Sequence, residues 1–114
     1  MPDKIQIVAS EGSRAGQRIL SLTGPLNIQT IFDFQTAMRA ETSPALIVDF
    51  SGVTFIDSAG LGALVGVCVA AQKANRKVAL AAMNTQVRAL VEMTHVDKFF
   101  RTFPTIQDAE AAIA

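Results

Sequence analysis

Ala45-Leu46-Ile47-Val48-Asp49-Phe50 is a short, nearly continuous apolar run. A strand with one wet face alternates polar and apolar residues, so a strand apolar at consecutive positions is expected to be covered on both faces. A helical stretch from Ser58 to Asn75 follows it, and then a second strand-like run, Val78-Ala79-Leu80-Ala81. Strand, helix and strand in that order make the parallel crossover of an α/β sheet. The rest of the chain is fitted around this unit.

Upstream, Ile5-Gln6-Ile7-Val8-Ala9 and Arg18-Ile19-Leu20-Ser21-Leu22 flank a polar, glycine-containing stretch and read as a β-hairpin. Gly24-Pro25 is expected to break the second of these strands. Between Ile28 and Glu41 the residues Ile31, Phe34 and Met38 share one helical face, and Thr42-Ser43-Pro44 ends that helix. Downstream, Asn84 is placed to cap a helix carrying Val87, Leu90 and Val91. Thr105 with Asp108 resembles a capping box that opens a last helix, with Ala109, Ala112 and Ile113 inward. The expectation is one α/β domain over residues 1–114 with a mixed sheet of four or five strands and about four helices. The sheet is antiparallel at the hairpin and parallel at the crossovers, and no repeat or linker interrupts the chain.

Composition removes several function classes. Half the residues are hydrophobic and 18% are charged, which argues against disorder. Ten basic and ten acidic side chains cancel, and the nearest approach to a basic cluster is Lys73, Arg76 and Lys77. Direct nucleic-acid binding, which needs a basic excess or stripe, is therefore disfavoured. One cysteine and one histidine provide neither an internal disulfide nor a metal cluster. Gly60 and Gly62 lie at a helix start, but no lysine follows in phosphate-loop spacing, so no nucleotide or other cofactor is expected. Met1-Pro2-Asp3-Lys4 lacks the charged-then-apolar pattern of a secretory signal. The longest charge-free run, Ser58 to Gln72, falls short of the ~20 apolar residues that span a bilayer. A cytoplasmic protein without membrane insertion is the expectation.

The helix from Ser58 has an unusual back. Leu61, Leu64, Val65 and Cys68 form one stripe, the obvious core face. The other face carries Ala59, Gly62, Ala63, Gly66, Val67 and Ala70, with no charge until Lys73. A surface helix ordinarily places charged residues there. Two interior glycines cost roughly 1 kcal/mol each relative to alanine, so something should compensate. Either the helix is packed on both sides, or its small-residue face lets another protein's backbone, or a second copy, approach closely. At its head, Ser58 sits at or next to the N-cap. Capping alone explains a serine, at ~1 kcal/mol over alanine. A second role is physically open, because a helix N-terminus tolerates a phosphate well. Phosphorylation would add about −1.5 to −2 charge beside Asp57 and spoil the adjoining apolar patch for a partner while the domain stays folded.

At these residues the chain resembles a known family. Val48 through Gly62, with Asp57-Ser58-Ala59-Gly60-Leu61-Gly62 as its specific core, is similar to the STAS domain, in particular that of the bacterial anti-sigma factor antagonists. Gly24-Pro25-Leu26-Asn27 stands where that family has Gly-x-Leu-Asp; Leu90 to Phe103 and Ala109 to Ile113 resemble its closing segments. The resemblance implies helices packed mainly on one face of the sheet. It also implies that Ser58 is phosphorylated by an anti-sigma factor that is itself a serine kinase of the histidine-kinase-like ATPase fold. Unphosphorylated antagonist would hold that kinase and free a sigma factor, and a PP2C-type phosphatase would reset it. The chain would be a phosphate acceptor and not an enzyme. The partner-binding residues then expected are Asn27, Asp57, Ser58, Ala59, Gly60, Gly62, Ala63, Gly66 and Val67. Three departures stand out: Ala59 replaces a hydroxyl residue, Asn27 replaces an aspartate thought to help engage the kinase, and Thr94-His95-Val96 replaces a glycine-containing helix stop. STAS domains also serve in lipid-transport complexes and stress-sensing scaffolds, where the same face binds a partner without a sigma factor. Asp57, Ser58 and His95 do not read as a hydrolase triad, since no Gly-x-Ser-x-Gly elbow is present. Oligomeric state is left open.

Overall fold

In the computed structural model, which describes residues 4–113, the central strand is twice the length of the apolar run: β3 spans Ala45–Ile56. Met1, Pro2 and Asp3, read above for a leader pattern, lie outside the described residues, as does Ala114. β1 (Gln6–Glu11) pairs antiparallel with β2 (Gln17–Leu26), and β2, β3 and β4 (Lys77–Ala81) run parallel. β5 (Thr102–Phe103) adds parallel to β4, giving the order β1-β2-β3-β4-β5. Two residues are too few to carry a period, which is why β5 was not legible as a strand.

Side-chain alternation in β3 divides the core. Leu46, Val48 and Phe50 face α1 (Ile31–Ala40), α2 (Ser58–Lys73) and α3 (Thr85–Met93), meeting Phe34, Leu61, Leu64, Val87 and Val91. Ala45 and Ile47, with Ala79 and Ala81, face the other way beneath α4 (Ile106–Ala112), against Ala109 and Ile113. The double burial read from the apolar run thus arises because α4 crosses to the back of the sheet. α1, α2 and α3 lie on one face and α4 on the other.

Two expectations are corrected. Gly24-Pro25 does not end β2, which continues to Leu26. Pairing with β1 stops at Thr23, and the ladder with β3 skips Pro25 between Gly24 and Leu26, so neither neighbour takes the N–H that Pro25 lacks. Register shifts flank the site, and Gly24 takes φ +113, a conformation that favours glycine. In α4, Ala112 is exposed and Glu110 is buried instead. The Glu110 carboxylate accepts from the Ser13 amide (2.7 Å), and its carbonyl accepts from Gln17 Nε2 (2.8 Å). The inward turn of α4 is a latch to the β1–β2 loop as well as an apolar contact.

α2 and α3 stop alike. Asn75 and His95 follow them with φ 60 and φ 59, and the next amides, Arg76 and Val96, donate back to Ala71 and Val91. This is the left-handed stop in which glycine is preferred. His95→Gly is expected to stabilise the domain by about 0.5–1 kcal/mol, net of the extra entropy of an unfolded glycine. Thermal denaturation checks it, and an unchanged or lower Tm would mean that the histidine backbone is unstrained. Cys68 lies on the buried face of α2, where burial pushes its thiol up to about 12, so it stays protonated and inert.

Candidate functional site

β3 delivers its last residue, Ile56, at the edge of the core, and the chain turns directly into α2. Asp57 is the N-cap, and its Oδ1 accepts from the Gly60 amide at 2.8 Å. Its Oδ2 accepts from the Ile28 amide at 3.2 Å, tying the head of α2 to the loop before α1. Ser58 is therefore the first helical residue. Its side chain is exposed, and among the described residues its hydroxyl takes part in no hydrogen bond. The capping reading of Ser58 is corrected here: aspartate does that work, and the serine hydroxyl is spare. The amides of Ser58 and Ala59, the first two of the helix, have no intrahelical acceptor. The tip is thus a half-buried carboxylate, an exposed hydroxyl and the positive end of a helix of 16 residues.

Asn27, expected among the partner-binding residues, lies in the turn before α1. It is buried, and its Oδ1 accepts from the amides of Gln29 (3.0 Å) and Thr30 (3.2 Å). Thr30 Oγ1 in turn accepts from the Asn27 amide and donates to the Pro25 carbonyl. This turn delays α1 to Ile31, later than the expected start at Ile28. The Asn27 Oδ1 is thereby committed to the turn, while among the described residues its Nδ2 donates no hydrogen bond. What the turn presents instead is Ile28, 64% exposed, and one turn on Phe32, 71% exposed. Neither was singled out from the sequence, although Phe32 lies off the Ile31-Phe34-Met38 stripe, and an aromatic off the core stripe was the available signal.

Along α2, Gly62, Gly66 and Ala70 are exposed and Ala59 and Val67 half-buried, whereas Gly60 and Ala63 are buried. Gly60 is buried because its Cα packs on the Leu26 carbonyl, and a Cβ there would overlap that oxygen. Gly62 and Gly66 have open space where a Cβ would be. The face is consequently surface for most of its length, bordered by α1 across a groove of about 360 Å³. Asp57 binds two backbone amides rather than the imidazole of His95, so these residues form no proton relay with Ser58.

A family model for the STAS domain matches residues 5–109. The anti-sigma-F factor antagonist RsfB of Mycobacterium tuberculosis is 28% identical over 113 residues, spanning 95% of this chain and 88% of that protein. The crystal structure of an anti-sigma factor antagonist from Mycobacterium paratuberculosis superposes with a TM-score of 0.85 at 27% identity, covering 99% of this chain and 97% of that one. A sulfate transporter family protein from Wolinella succinogenes shares the fold, with a TM-score of 0.75 at 19% identity over 90% of this chain and 88% of that one.

Proposed function

The chain belongs to the STAS domain family, and from that premise we propose that it is an anti-sigma factor antagonist switched by phosphorylation of Ser58. The single observation that carries this reading is the division of labour at the tip of α2. Asp57 caps the helix and leaves the Ser58 hydroxyl exposed and uncommitted. A partner kinase of the histidine-kinase-like ATPase fold transfers the γ-phosphoryl of ATP to Ser58 Oγ. The Pγ–O bond to ADP breaks, and the hydroxyl proton passes to a base of the kinase. Hydrolysis by a PP2C-type phosphatase returns serine and inorganic phosphate.

The fold tolerates the modification because the helix dipole and the free first-turn amides favour an anion at this position. Docking does not tolerate it. About −1.5 to −2 charge would arrive beside Asp57, whose carboxylate holds the amide of the exposed Ile28. Burying that charge against an apolar partner surface costs more than the contact returns. Likeness to two anti-sigma factor antagonists over most of the chain supports the same reading. The likeness to a transporter family protein concerns the fold alone.

The test uses Ser58→Ala as bait, with mass spectrometry of what it retains. It is expected to hold an ATPase-fold kinase and to resist phosphorylation. Ser58→Asp should bind the purified kinase at least ~10-fold more weakly, about 1.4 kcal/mol, with Tm nearly unchanged. Equal affinity of the two variants would refute the switch, and retention of a transporter subunit instead would move the protein to the other STAS role.

A further inference from the structure

We propose that the groove between α1 and α2 receives one helix of the partner protein, and that this helix carries a carboxylate at the end facing Arg39 and Arg76. The inference rests on the reading of the chain as a protein-binding switch and names the piece of the partner that lies on it. Gly62, Gly66 and Ala70 recur every four residues and so form one line along α2. Side chains built at Gly62 or Gly66 would meet nothing within 4 Å, so a facing backbone can come close. Met38 and Gln35 of α1 form the opposite bank. An extended peptide laid on this apolar floor would leave its backbone N–H and C=O groups unpaired, whereas a helix satisfies its own. Two parallel banks of side chains also suit the ridge of a third helix.

Charge selects the end of that helix. The groove lining holds Arg39 and Arg76 and no Asp or Glu, in a chain whose basic and acidic residues are equal in number. Arg76 Nε donates to the Ser43 carbonyl at 2.8 Å, which fixes the guanidinium, while its Nη2 is buried without a hydrogen-bond partner. Among the described residues the ion pairs are those of Arg18 with Glu11 and Glu41, so neither groove arginine has a counter-ion. A carboxylate arriving with the partner supplies one, in a geometry that guanidinium groups favour.

α2 has 16 residues and rises about 24 Å from the Ser58 end to the arginine end. That exceeds the Debye length of ~8 Å, so phosphate and arginines act on docking independently. Isothermal titration of the purified ATPase-fold kinase is made against chains carrying Gly66→Leu or Arg39→Glu in the Ser58→Ala background. Each is expected to weaken binding at least ~10-fold with the circular dichroism of the parent, since position 66 is open and Arg39 is exposed. The Arg39→Glu loss should shrink in ~0.5 M salt and the Gly66→Leu loss should not. Affinities within about twofold of the parent, with Ser58→Asp still weakened, would overturn the groove and leave the switch. Losses at both groove positions with Ser58→Asp unaffected would keep the groove and sink the switch. A Ser58→Ala bait that retains no kinase overturns both.

Discussion

Gly60→Ala is expected to unfold about 12 °C below the parent, a loss of about 3 kcal/mol, while Gly62→Ala and Gly66→Ala each gain close to 1 kcal/mol. The three substitutions are chemically identical and fall on one helix, so helix propensity alone predicts stabilisation for all three. The sign at Gly60 is reversed by its neighbours. An added Cβ would overlap the Leu26 carbonyl oxygen and lie 2.7 Å from the Leu26 carbonyl carbon and 3.1 Å from Ile56 Cγ1. Two of these are backbone atoms at the end of β2, which cannot rotate aside. The helix must lift from the sheet, and the Asp57 carboxylate then loses the Gly60 amide. Thermal denaturation of the three variants side by side checks the pattern. A Gly60→Ala Tm near the parent would show that α2 has slack at its head, and that Ser58 is not held at a fixed place.

Asp57→Ala should cost about 3 kcal/mol, more than the ~1 kcal/mol of an ordinary cap, because this carboxylate serves two segments. One oxygen takes the Gly60 amide within α2, and the other takes the Ile28 amide 29 residues earlier. Hydrogen bonds to a charged acceptor are worth about 1.5–3 kcal/mol each, and both amides here are left to water when it is removed. Asp57→Asn keeps an acceptor and is expected to lose about half as much. Chemical denaturation measures the difference, and hydrogen exchange at Ile28 and Gly60 locates it. If Asp57→Ala loosened Gly60 but left Ile28 protected, the loop before α1 would be held by Asn27 and Thr30 alone. Docking should weaken in the same variant even though Ser58 is intact, because Ile28 and Phe32 would no longer be presented in a fixed relation to it.

The elements legible in the sequence were those with a period or a chemical stop. The hairpin, the α1 stripe of Ile31, Phe34 and Met38, and the Asn84 cap all appear where local pattern placed them. Thr105 likewise accepts from the Asp108 amide. Gly24-Pro25 misled because a breaker acts through the partner it denies, and whether a strand lies alongside is a long-range fact. The helix stop at His95 was readable as a departure from glycine, and the backbone does adopt the left-handed conformation there. Ala112 was assigned inward on helical period alone, but the polar latch from Glu110 to the β1–β2 loop decides which side of so short a helix turns in.

By itself the chain determined that a hydroxyl stands at the head of a charge-poor helix following a doubly covered strand. Residue type and spacing carry those properties within a few turns of backbone. Only the tertiary structure decided that Asp57, not Ser58, caps the helix, and that Asn27 turns inward. It likewise decided that Gly60 and Ala63 belong to the interior while Gly62 and Gly66 stay open. Which atoms lie across from a residue depends on how β2, α1 and α2 converge, and contacts between segments 30 residues apart leave no periodic trace in either one.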